Sequence, residues 1–124
     1  MVESDTPYVD LDHRGSIAIV TINRPDRLNA YSPSMAAAIA DLFDDLDADP
    51  DTRAAVFTGA GERAFCAGMD IETYLELSDE EGVGSVDTLL ESTHETHRIV
   101  KTIRAVELPV VAAVAGYAFG GGMD

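Results

Sequence analysis

Two glycine-bearing segments hold the residue types that could do chemistry in this chain: Cys66-Ala67-Gly68-Met69-Asp70 and Gly116 to Asp124. In the second, Gly120, Gly121 and Gly122 run directly into Met123 and Asp124. Successive glycines let backbone N–H groups approach a ligand with no side chain in the way. Where a helical turn begins, its first N–H groups have no internal partner and favour negative charge. A carboxylate beside that anion site can take up or deliver a proton. Two such turns facing each other could each give one N–H to a single oxygen, which is an oxyanion hole. The same small residues also suit plain packing turns, and spacing alone does not separate the two readings.

Ligand sites in parallel sheets lie beyond the carboxyl ends of strands, so each segment needs a strand before it. Arg53 to Thr58 supplies one. Val110 to Ala115, an apolar run between Pro109 and Gly116, supplies the other and reads as a strand buried on both faces. Upstream, Tyr8 to Asp12 and Ser16 to Asn23 form a hairpin across the turn His13-Arg14-Gly15. Ser32 is a good N-cap and Pro33 suits the first helical position. Met35, Ala38, Ile39, Leu42, Phe43 and Leu46 then fall on one face of that helix, and Asp41, Asp44, Asp45 and Asp47 face water. A second helix spans about Val86 to Val106, with Leu89, Leu90, Ile99, Val100 and Ile103 as its buried side. The acidic stretch Ser78 to Ser85 reads as a mobile loop. Helices alternating with short strands give an α/β class whose later strands are mostly parallel.

Composition removes several functions. The 124 residues carry 23 acidic and 8 basic side chains, a formal net charge of −15. That opposes nucleic acid, which needs a basic footprint, and anionic membranes. It suits a salt-adapted protein, because salt screens the self-repulsion. No apolar run reaches the length of a membrane span, and MVESDTPYVD lacks the regions of a secretory signal, so a cytoplasmic setting is expected. The single cysteine, Cys66, reads as a small buried hydrophobe. His94-Glu95-Thr96-His97 is not H-E-x-x-H, and the histidines read as surface or partly packed residues; no metal is expected. The triple glycine is neither G-x-G-x-x-G nor a P-loop.

The segments together resemble the crotonase family, the enoyl-CoA hydratase/isomerase superfamily. The resemblance runs through Ile19-Val20-Thr21-Ile22-Asn23-Arg24-Pro25 and Leu28-Asn29-Ala30. It is strongest in Ala64-Phe65-Cys66-Ala67-Gly68-Met69-Asp70-Ile71 and in Pro109 to Asp124. It implies an α/β crotonase-like (ββα) superhelix, truncated after the second oxyanion-hole motif. Residues 1–124 would be the N-terminal part of a single domain.

The resemblance further implies acyl-CoA thioester substrates and an enolate-like oxyanion held by the N–H groups of Met69 and Gly121. Arg27, Leu28 and Ala30 resemble the segment along the CoA pantetheine and phosphates. Ala67, Asp70 and Ile71 resemble the segment near its adenine, Gly68, Met69 and Gly121 are further CoA-binding positions, and Arg63 joins Arg27 as a phosphate partner. Asp124 falls where hydratases carry the first of two catalytic glutamates. It is shorter by one methylene, which puts simple hydration in doubt and admits double-bond isomerisation as the alternative. A non-catalytic fragment or split-gene partner is the third reading. No cofactor is implied beyond the CoA of the substrate. The full-length family assembles as trimers or hexamers, and the chain by itself is expected to expose the apolar faces of its strands.

Overall fold

The computed structural model describes residues 2–4, 6–72, 75 and 86–124. The strands are β1 (Val9–Arg14), β2 (Ile17–Ile22), β3 (Ala54–Gly59), β4 (Ala64–Cys66), β5 (Val110–Ala113) and β6 (Tyr117–Ala118). The long helices are α1 (Pro33–Ala48) and α2 (Val86–Ala105), and single 3-10 turns span Pro25–Arg27 and Gly120–Gly122. The stretch Ser78 to Ser85 and the side chain of Leu89 lie outside the described residues.

The main sheet has the order β1-β2-β3-β5. β1 and β2 form the expected hairpin, antiparallel from Val9 opposite Ile22 to Arg14 opposite Ile17. Its turn is tighter than His13-Arg14-Gly15: His13 and Arg14 are paired within β1, and only Gly15 and Ser16 turn, with Gly15 at φ +62°, a conformation that suits glycine. β3 then runs parallel to β2, and β5 parallel to β3. The crossover from β2 to β3 is α1. It starts where the sequence says: Ser32 Oγ accepts from the Met35 N–H at 3.2 Å, and Pro33 takes the first position. Met35, Ile39, Leu42, Phe43 and Leu46 are buried as expected. They meet Ala18, Val20 and Ile22, the alternate residues on one face of β2. Ala36 and Ala40 are fully buried, while Ala38 is only half-buried, because the buried stripe of α1 is rotated toward Ala36 and Ala40. Phe43, Phe57 and Phe65 form an edge-on chain with centroid spacings of 5.3 and 5.6 Å, tying helix, sheet and β4 together.

α2 packs across α1, with Arg98 paired to Asp41. Ile99 is buried and Val100 and Ile103 half-buried, as the periodicity demands. Leu90 is 50% exposed and does not belong to the buried side. His94 and His97 are both exposed on α2.

The largest departure is β5. The run Val110 to Ala115 reads as buried on both faces, yet Val110 is half-buried and Val111 is 61% exposed. β5 is the edge of the sheet. Val110, Ala112 and Val114 turn toward a cavity shared with α2, and among the described residues nothing covers the face that carries Val111. The expected exposure of apolar strand faces is met at β5 and not at β2, whose Ala18, Val20 and Ile22 are buried under α1. A second departure is the pair β4–β6, a parallel two-stranded sheet that no run in the sequence announces.

Phe43→Ala removes the side chain at the junction of helix and sheet. Stability should fall by about 3–5 kcal/mol, read from urea unfolding followed by circular dichroism.

Candidate functional site

The site begins in the loop between β2 and α1. Leu28 and Asn29 both adopt left-handed backbone, at φ +52° and +57°. Asn29 tolerates this, whereas Leu28 does so at a cost that its surroundings must offset. The surroundings are a buried clamp. The Asn29 side chain accepts from the Arg24 N–H at 2.9 Å and donates to the carbonyls of Ala60 and Ala64 at 3.0 and 2.8 Å. The Arg24 guanidinium pairs with Asp70 at 2.9 Å, donates to the Ala30 carbonyl and lies 5.2 Å over the Tyr8 ring. Both charges are nearly out of water, with 15% and 8% of their side chains exposed.

This clamp pins the loop to the first glycine-bearing turn. The Tyr31 N–H donates to the Gly68 carbonyl at 2.9 Å and its carbonyl accepts from the Asp70 N–H at 2.8 Å, a parallel bridge opposite Met69. The Ala67 N–H donates to Leu28 at 3.0 Å. Gly68 sits at φ +90° and is buried. Its N–H donates to Cys66 Sγ at 3.4 Å.

The second turn lies directly against the first. Cys66 pairs with Ala118, and its carbonyl accepts from the Phe119 N–H at 3.1 Å. A side chain added at Gly68 would come within 3.1 Å of the Gly121 nitrogen and 2.9 Å of the Phe119 carbonyl; one at Gly122 would overlap the Cys66 carbonyl. The glycines are therefore required by mutual approach of two backbones. Phe119 is extended and the turn Gly120–Gly122 starts after it, so its first N–H groups have no helical partner. Neither the Met69 N–H nor the Gly121 N–H donates to an acceptor among the described residues. Two free donors thus stand on touching turns.

Behind Gly121 lies Tyr31. Its hydroxyl fills the space that a Cβ there would need, and Thr96 of α2 acts on the phenol so as to oppose the rise of its pKa. Burial raises the Tyr31 pKa, with further contributions from neighbouring Cys66 and Asp124, so the phenol stays protonated. Burial likewise raises the Cys66 thiol, opposed by the Gly68 N–H. Asp124 is exposed. Gly121 and Asp124 help line a cavity of about 540 Å³ whose walls include Ile99 and Ile103 of α2 and Val110 and Ala112 of β5.

The residues singled out from sequence thus assemble unevenly. Met69, Gly68 and Gly121 come together, with Asp124 near Tyr31. Leu28, Ala30 and Ala67 border the first turn. Ile71 is 71% exposed beside it. The Asp70 carboxylate is committed to Arg24, so what it can present to a ligand is main chain. Arg27 is exposed and paired with Glu72, which raises its pKa, and Arg63 is exposed on the loop before β4. Sequence reasoning missed Tyr31, Asn29 and Arg24 as builders of the site. Tyr31 stands next to the helix N-cap Ser32, and Arg24 and Asn29 stand within the segments that carry the resemblance; these were the available signals.

The family model for enoyl-CoA hydratase/isomerase matches residues 12–124. A short-chain-enoyl-CoA hydratase of Clostridium acetobutylicum is 34% identical over 118 residues, 94% of this chain and 42% of that protein. The mitochondrial 3-hydroxyisobutyryl-CoA hydrolase of Rattus norvegicus is also 34% identical, over 97% of this chain and 30% of that protein. Among solved structures, an enoyl-CoA hydratase/isomerase from Mycobacterium paratuberculosis superposes with a TM-score of 0.77 at 39% identity, covering 92% of this chain and 44% of that one. The fold is crotonase-like, and the chain spans less than half the length of each of these relatives.

Asp70→Asn leaves Arg24 buried without its counter-charge, and should cost about 3–5 kcal/mol in urea unfolding. A second expectation concerns alkaline pH. The Cys66 pKa is raised in the fold, so the unfolded chain loses its thiol proton first. This contribution is whole below the ordinary value of 9.0 and declines above it, by up to about 1.4 kcal/mol per pH unit until the folded pKa is passed. Cys66→Ala should flatten that part of a stability–pH profile.

Proposed function

The chain belongs to the enoyl-CoA hydratase/isomerase family, and on that premise we propose that it carries the thioester-oxygen site and one acid/base carboxylate of an enzyme acting on enoyl-CoA. The observation that supports this reading best is the pair of unpartnered N–H groups on Met69 and Gly121, on turns in contact, the second of which lines a largely apolar cavity.

The chemistry follows from charge. A proton joins or leaves the α-carbon of a thioester only if the negative charge developing on the carbonyl oxygen is held. The two N–H groups hold it as fixed dipoles that need no reorganisation, and one such donor is worth about 2.7–4 kcal/mol of barrier. In hydration, the oxygen of water bonds to the β-carbon, one of its protons passes to a base, and a proton is delivered to the α-carbon as the enolate collapses. Asp124 is one of the groups that exchange these protons. The acyl chain enters the cavity beside α2. The pantetheine and adenine follow the backbone of Leu28, Ala30 and Ala67 to Ile71. Arg27, released from Glu72, meets phosphate oxygens together with Arg63. In an acidic molecule these local positive charges offset repulsion of anionic CoA.

A second reading, movement of the double bond without net hydration, draws on Asp124 itself. Its carboxylate lies closer to the main chain than a glutamate's would, and proton transfer is sensitive to displacement on that scale.

Calorimetry should find that a short-chain enoyl-CoA binds about 10-fold or more tightly than the matching S-alkyl CoA thioether, which lacks the carbonyl, since two hydrogen bonds are lost. Equal affinities would remove the oxyanion site. Asp124→Asn should keep the binding and lower turnover about 10²–10⁴-fold. Loss of the enoyl absorbance identifies hydration, a displaced double bond identifies isomerisation, and binding without turnover identifies a non-catalytic role.

A further inference from the structure

Tyr31 is in contact with both donor turns at once. Its main chain makes the bridge opposite Met69, through the bonds to Gly68 and Asp70. Its hydroxyl, at the far end of a rigid ring that is only 3% exposed, lies against Gly121. The residue is thus a spacer of fixed length between one free N–H and the other. Thr96 closes the arrangement from α2: its side chain opposes the rise of the Tyr31 pKa, which places it beside the phenol, and its hydroxyl donates toward the Met69 sulfur at 4.0 Å. Thr96 therefore links the group behind Gly121 to the side chain carried by the first turn.

We propose that Tyr31 and Thr96 are positioning residues of this site, a ring-length spacer and its lock that set the separation of the Met69 and Gly121 N–H groups. The proposal rests on the oxyanion reading above. The physical basis is that hydrogen bonds to a developing oxyanion depend steeply on distance, and a displacement of about 1 Å remote from the chemistry can cost about 10²-fold in rate. Phenylalanine at 31 keeps the backbone bridge, the ring and its packing, and removes only the oxygen that sets the spacer's length. Valine at 96 keeps the shape and removes the lock.

The test compares Tyr31→Phe, Thr96→Val and the double variant with the unchanged chain, using the enoyl-CoA and S-alkyl CoA pair. The expected result is that the preference for the carbonyl-bearing ligand falls by about 5-fold or more in each single variant, while affinity for the thioether is unchanged. The double variant should be no worse than either single one, because both remove the same contact between α2 and the phenol. Where turnover is measurable, kcat falls and KM stays nearly constant. A preference equal to that of the unchanged chain in both single variants would overturn the proposal while leaving the oxyanion reading intact. A uniform loss of affinity for both ligands would also overturn it, and would mark Tyr31 as merely structural. Absence of any preference in the unchanged chain would instead remove the reading on which the proposal stands.

Discussion

The buried pair of Arg24 and Asp70 is the interaction on which the candidate site depends. Two charges withdrawn from water are costly unless each is paired and its remaining hydrogen-bonding capacity is used. Here Arg24 also holds the Ala30 carbonyl and covers Tyr8, while Asn29 binds the Arg24 N–H and two carbonyls across the loop. The outcome is a loop with two residues in left-handed backbone that cannot relax without breaking several buried bonds. That rigidity passes to Tyr31, then by main-chain bonds to Gly68 and Asp70, and from there to the second turn. Electrostatics and packing thus fix backbone atoms, and the backbone atoms are the part that offers chemistry.

The hydrophobic core does separate work. α1 seals one face of the sheet with Ile39, Phe43 and Leu46, and the phenylalanine chain reaches β4, so the strand before the first turn is anchored to the helix. The other apolar surface is treated differently. Val111, Val114, Tyr117, Phe119 and Met123 are all more than half exposed, beside the second turn.

Much of this was legible in the residues. Ser32-Pro33 marks a helix start by a mechanism local enough to survive any tertiary context, and the apolar face of α1 follows from period. The parallel order was legible because helices separate the strands. The contact between the two turns was not, since β4 and β6 are only three and two residues long and pair across more than fifty positions. Asp70 read as a ligand-side residue because the resemblance put its segment beside the CoA adenine; only the fold brings Arg24 to it. Tyr31 read as nothing in particular, because its importance lies in reaching a residue ninety positions away. The exposure of β5 shows the limit of pattern reading: an apolar run records what a strand is suited to meet, and the neighbours must be found separately.

The two free donors at the touching turns are main-chain atoms, and this has a consequence for how such a site changes over generations. Every amino acid except proline brings an N–H to position 69, and at position 121, where Tyr31 leaves no room for a Cβ, glycine brings one, so single substitutions at 69 seldom delete a donor outright. What substitutions can alter is the company the donors keep: the carboxylate at 124, the sulfur at 69, the walls of the cavity. A site encoded in backbone shape is therefore conservative in one part and freely editable in the other. Relatives equally similar to this chain, one called a hydratase and the other a hydrolase, are what such a division of inheritance would leave behind.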